Sequence, residues 1–147
     1  MFLTPVPLVE TFSWSFWSRI WSTYALYDDS YANRESYGFW IDVGNGHSTI
    51  LPSLIWILGM TFEILDPQVL GIIGLLSFYQ EFYGTVMYFC QFLFNRRHKG
   101  KSKLEVALFV ALSNGIWIVA PIVGLFASLS LILYPERNYA IFRPTIL

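Results

Sequence analysis

The sequence predicts an all-α integral membrane protein, with about three transmembrane helices following an N-terminal interfacial helix crowded with aromatic side chains. Three observations carry this. Of 147 residues 55% are hydrophobic and only 13% charged, whereas a soluble domain carries about 25% charged residues because its surface needs them. Long apolar stretches are punctuated by Asp66-Pro67, by a basic loop and by Tyr134-Pro135. Aromatic residues reach 19%, with 6 tryptophans, a usage that suits segments lying at a lipid interface.

Two function classes drop out early. A formal net charge of -1 supplies no basic field for nucleic acid. The single cysteine, Cys90, sits within an apolar run, so neither a disulfide scaffold nor a Cys/His zinc framework is available.

The elements follow in order. Pro5 and Pro7 open the chain, and residues 8–27 are compatible with a helix carrying Phe12, Trp14, Phe16, Trp17, Trp21 and Tyr24 beside Glu10 and Arg19. That mixture is too polar for a span and too aromatic for a solvated helix, and it fits an interfacial helix, whose rings enter lipid while their polar ends stay wet. A secretory leader is not expected, since there is no basic start and Glu10 interrupts the apolar run. The first span is expected at Thr49 to Leu65, with Gly44-Asn45-Gly46 as its entry turn or with an extension back toward Phe39; without that extension, about 17 residues is the short end of what crosses ~30 Å of hydrocarbon. Asp66-Pro67 stops it, because a residue before proline is pushed out of helical geometry. The second span is Val69 to Phe94, and the third lies within Leu104 to Leu133. Between them, residues 95–103 hold more than half of the lysines and arginines, which places this loop on the cytosolic side and the tail with Arg137 and Arg143 on the other. The resulting division is an N-terminal segment over 1–20, a transmembrane domain over 21–134 and a short tail over 135–147.

Chemistry is to be sought where polar groups sit at membrane depth, because insertion there costs a few kcal/mol. Glu81 lies about 12 residues into the second span, ~18 Å along its axis, and shares one face with Thr85 and Tyr88. It is a candidate proton donor or relay, or else a structural acid bonded to a neighbouring helix. Glu63, at the end of the first span beside Asp66, is expected to reach the interface. Asn114 and Trp117 lie one turn apart with Pro121 a turn further. An amide in lipid must be satisfied by a helix or a ligand, and an indole face suits a cation or a developing carbocation; the plainer alternative is helix-to-helix adhesion and a buried aromatic. Pro121 frees a carbonyl near Trp117 and is expected to kink the helix. Asp28 and Asp29 among tyrosines read as a surface turn, and Asp42 and His47, flanking the glycine turn at the membrane entry, as a titratable pair at the interface or, more commonly for such a place, as capping groups.

Three segments carry a resemblance. Tyr24-Ala25 with Asp28 and Tyr31 resembles a Tyr-Ala-x-x-Asp-x-x-Tyr turn ahead of a transmembrane helix. Glu81-Phe82-Tyr83-Gly84 resembles a Glu/Gln-x-Tyr-Gly run, and Asn114-Gly115-Ile116-Trp117 through Pro121 matches Asn-x-x-Trp-x-x-x-Pro. On these residues the chain resembles the emopamil-binding protein family, the sterol Δ8–Δ7 isomerases and relatives sharing the EXPERA domain, from about Trp21 to Leu133. It departs from the pattern at Ser30, where an arginine is usual, near Gly44, where an acid is usual and Asp42 is the nearest, and at Thr85, where isomerases often have Asp. The family's first two helices lie outside the match.

The resemblance implies a five-helix bundle of the endoplasmic reticulum membrane with an internal sterol pocket. There a protonated acid adds a proton to a ring alkene, aromatic faces shelter the carbocation, and loss of a neighbouring proton shifts the double bond. By analogy Glu81 and Asn114 are the catalytic candidates, and Trp117, Tyr83, Thr85, Tyr88, Tyr24, Asp28 and Tyr31 are the substrate-binding ones. No metal or nucleotide cofactor is needed, and the sequence has no glycine-rich phosphate loop. The expected partners are a sterol or terpenoid, the bilayer, and a second copy or another membrane chain to close a pocket that three helices leave open; nucleic acid is not expected. A non-catalytic sterol-binding protein on the same bundle and a terpenoid-cyclising relative are the alternatives.

Overall fold

The computed structural model describes residues 5–34 and 36–135, and helix is the only regular structure among them. The described residues are therefore all-helical in architecture. A 3-10 turn, Leu8–Phe12, leads into helix α1 (Trp14–Ala25). Ser13 caps α1 by accepting from the Phe16 amide at 3.2 Å, satisfying one of the first-turn donors that have no intrahelical partner. Trp17 Nε1 donates to the Thr11 carbonyl at 2.9 Å, which ties the turn to the helix and leaves Phe12 and Trp14 almost fully exposed.

A short turn (Asp29–Tyr31) precedes α2 (Tyr37–Ser48) and α3 (Ile50–Phe62). The entry turn expected at Gly44-Asn45-Gly46 is not present: all three residues lie inside α2, where Gly44 and Gly46 face open space. The break falls instead at Thr49, because Pro52 has no N–H to give the Ser48 carbonyl four residues back. The expected first span is correspondingly shorter. At 13 residues α3 is about 20 Å long, and it ends at Glu63 in a left-handed conformation, φ 56°.

Two helices are long and apolar enough to cross a membrane, α4 (Pro67–Phe94, 28 residues) and α5 (Lys103–Leu133, 31 residues). Asp66 caps α4 through the Gln68 and Val69 amides at 2.9 and 3.2 Å, with Pro67 in the first turn, where its missing N–H costs nothing. Asp66-Pro67 thus starts α4 as well as following α3. The early part of α5, Val106–Leu112, is wound as a π-helix. The rest continues through the buried Pro121.

Small residues bring α4 and α5 together. A Cβ on Gly71 would lie 2.7 Å from the Ser128 carbonyl oxygen, and one on Gly124 would lie 2.5 Å from the Phe78 ring. Around this seam Leu70 and Leu131 pack with Ile55, Trp56, Met60 and Leu65, joining α3 to the pair. A second cluster, Tyr88, Phe92 and Val110 with Tyr27 and Tyr31, lies toward the other end of α4. There Lys101 of the basic loop donates from Nζ to the Leu26 carbonyl at 3.1 Å and to the Tyr27 carbonyl. The loop is thus bound to the end of α1 and is more than a solvated connector. The tail residues Arg137 and Arg143 lie outside the described residues.

Candidate functional site

The second cluster borders a hollow of about 840 Å³, framed by α1, the Tyr31 turn, α2, α4 and α5. Glu81, Thr85 and Tyr88 line it from α4, spaced four and three residues apart on one helix face. Asn114 and Trp117 line it from α5, and Tyr31 from the turn. The resemblance assigned all six to one site, and the fold brings them to one hollow. Tyr83 is not among the lining residues: its ring stacks on Tyr79 with centroids 6.0 Å apart, on the outer face of α4. Tyr24 and Asp28 stand behind the lining rather than in it.

Asp42, Asn45 and Thr49 also line the hollow, from α2 and its end. Their spacings of three and four would have marked a helix face, but the neighbouring glycines made the segment read as a turn. Asp42 is therefore no capping group, and His47 lies in the last turn of α2, its Nδ1 2.8 Å from the Val43 carbonyl. Neither the Asp42 nor the Glu81 carboxyl receives a hydrogen bond or an ion pair from a described residue. The Thr85 hydroxyl is spent on the Glu81 backbone carbonyl at 2.9 Å. Among the described residues no lysine, arginine or histidine lines the hollow, so its polar groups are carboxyls, amides and hydroxyls against an aromatic wall.

Behind this wall runs a buried polar chain. Asp28 is fully buried and accepts from the Ser30 amide at 3.0 Å and from Arg97 Nη1 at 3.1 Å, both at Oδ1, and from the Tyr88 hydroxyl at 2.8 Å at Oδ2. A buried carboxylate needs such partners, since unpaired it would cost several kcal/mol. Tyr88 and Tyr24 share a hydroxyl–hydroxyl bond of 2.9 Å. Asn114 Nδ2 then donates to the Tyr24 oxygen at 2.5 Å and to the Val110 carbonyl at 2.8 Å. Val110 belongs to the π-helical turn, a distortion often found at functional sites. Asp28 is thus the anchor of an interior network, not part of a surface turn. The Tyr31 ring sits edge-on to Tyr24 (4.8 Å, 82°) and stacked with Trp21 (6.1 Å, 23°). Burial pushes its phenol above the ordinary range, so its hydroxyl stays protonated.

Arg97 is the partner that the sequence did not disclose, because it reaches Asp28 across 69 residues. No family model matches the chain, and no curated protein or solved structure does so either. The geometry and the residue chemistry therefore carry the functional argument.

Proposed function

We propose that the chain is an integral membrane protein that holds a sterol or terpenoid in this hollow and shifts a ring double bond by protonation and deprotonation. The observation that carries the proposal is that the carboxyls of Asp42 and Glu81, which have no partner among the described residues, line the same aromatic-walled hollow as Asn114 and Trp117.

The membrane part is supported by the outer surfaces of α4 and α5. Only 28% of the apolar window of each helix is buried, whereas the core helix of a soluble protein buries most of such a face. Ile72, Leu76, Ile116, Val119, Val123 and Phe126 are all exposed, and lipid covers such a surface at no cost. By the resemblance to the emopamil-binding family the membrane is that of the endoplasmic reticulum, with the basic loop on the cytosolic side. A second copy or another membrane chain would close the open side of the hollow.

The volume falls within the roughly 300–1,000 Å³ typical of small-molecule sites. In the proposed reaction the Glu81 carboxyl gives its proton to one alkene carbon. The π electron pair forms the new C–H bond and leaves positive charge on the adjacent carbon. The faces of Trp117 and Tyr31 stabilise that charge. Loss of a proton from the next carbon to the Asp42 carboxylate restores the alkene one position along, so no oxidant or reductant is required. The test is Glu81→Gln with a Δ8-sterol in lipid nanodiscs. Turnover to the Δ7 product is expected to fall by at least about a hundredfold, the usual contribution of a general acid, with sterol affinity retained. A wild-type protein that binds the sterol and converts none of it would instead be a sterol-binding protein built on the same bundle.

A further inference from the structure

The donors in the buried chain all point one way. Asp28, ion-paired with Arg97, is an acceptor only. The single Tyr88 hydroxyl hydrogen goes to Asp28 Oδ2, so in its bond with Tyr24 the Tyr88 oxygen must accept. The Tyr24 hydrogen is thereby spent, and the Tyr24 oxygen must accept from Asn114. The second Asn114 amide hydrogen goes to the Val110 carbonyl at 2.8 Å, with Ser113 Oγ as a longer contact of the same nitrogen at 3.4 Å. Both hydrogens are committed away from the hollow, which leaves Oδ1 as the unspent end of an amide that lines it.

We infer that Asp28 is a positioning residue. Through Tyr88 and Tyr24 it holds Asn114 with its amide oxygen toward the hollow, presenting the negative end of the amide dipole to a ligand group that donates a hydrogen bond or develops positive charge. The orientation stands on the hydrogen-bond chain alone, while its consequence for turnover rests on the proposed isomerase reading.

The inference makes an unusual demand of Asp28→Asn, a substitution that hardly alters shape. The Ser30 amide and Arg97 both donate to Oδ1, so they hold the oxygen of the new amide, and its NH₂ faces Tyr88. Tyr88 then accepts from residue 28 and donates to Tyr24, and Tyr24 donates to Asn114. The chain reverses, and the Tyr24 hydrogen competes with the Val110 carbonyl for the Asn114 amide: the turned amide accepts from Tyr24, gives up its bond to Val110 and carries its NH₂ toward the hollow. Cutting the relay should silence this: in Asp28→Asn combined with Tyr88→Phe, no hydroxyl passes the reversal on, and Val110 keeps the Asn114 amide in its original orientation.

The experiment reads hydrogen exchange of the Asn114 side-chain amide in the full chain, with isotope-labelled asparagine, in nanodiscs without ligand. In the wild type both protons are expected to exchange slowly. In Asp28→Asn exchange is expected to rise about tenfold, the factor for losing a hydrogen bond's protection. The double variant is expected to return to the wild-type rate, which a merely structural role for Asp28 would not produce. Unchanged protection in folded Asp28→Asn, or exchange as fast in the double variant as in the single, overturns the inference. Should Asp28→Asn fail to fold, Tyr24→Phe serves instead: it should free one Asn114 proton and leave the other on Val110, and protection of both would equally overturn the inference. Turnover of a Δ8-sterol is the separate arm. If exchange responds as expected but Asp28→Asn turns over normally, the positioning stands and the catalytic reading of Asn114 fails.

Discussion

The hydroxyls of Tyr24 and Tyr88, 64 residues apart in the chain, meet at 2.9 Å in the buried interior and join α1 to α4, with Asn114 extending the contact to α5. Three helices are thus fastened by one polar chain in apolar surroundings, where an orphaned donor or acceptor is expensive. Tyr88→Phe removes the middle of that chain. It should lower stability by about 1–3 kcal/mol, seen as a reduced midpoint of thermal unfolding in detergent. Tyr83→Phe, on the outer face, should change it by no more than about 0.5 kcal/mol.

Arg97→Ala should be the more damaging change at the other end. Arg97 keeps some exposure, but the Asp28 side chain has none, so truncation leaves a buried carboxylate with one cationic partner fewer. About 3–5 kcal/mol is expected. Arg96→Ala, on an exposed neighbour with no ion pair among the described residues, should be nearly neutral. The pair of unfolding midpoints checks both statements.

Gly71→Ala tests the α4–α5 seam. The added methyl would meet the Ser128 carbonyl oxygen at 2.7 Å, and a helix backbone cannot move aside as a side-chain tip can. The helices must separate, at a cost of about 1–3 kcal/mol. Gly115→Ala, with nothing within 4 Å of the new methyl, should be neutral or slightly stabilising because alanine is the better helix former. A seam variant as stable as the wild type would show that α4 and α5 do not approach as closely as this.

Much of the site was legible because helical spacing is legible. Glu81, Thr85 and Tyr88 share a face by arithmetic, and Asn114 with Trp117 does so too; all five line the hollow. Tyr83 failed because a motif neighbour on a helix points about 100° per residue away from its predecessor, and Tyr83 lies two residues past Glu81. The glycines around Asn45 favoured a turn over a helix extending back toward Phe39, since glycine marks a turn far more often than an exposed helix position, and Asp42 beside them read first as a capping group. The end of α2 was set by Pro52, three residues beyond Thr49, which acts through a hydrogen bond it cannot make. The Arg97–Asp28 pair and the π-helical turn at Val110 were invisible for a different reason: both depend on which distant segments the fold brings together, and local pattern holds no record of that.

The central claim is that the hollow performs acid–base chemistry on a bound ring alkene, with the proton coming from the protein's exchangeable carboxyls. It is tested most directly by incubating the purified chain with a Δ8-sterol in nanodiscs made up in deuterium oxide and measuring the product by mass spectrometry. The account predicts a Δ7 product carrying one non-exchangeable deuterium, formed by the wild type and lost in Glu81→Gln. A Δ7 product without deuterium, or no product from a folded, sterol-binding protein, would contradict it.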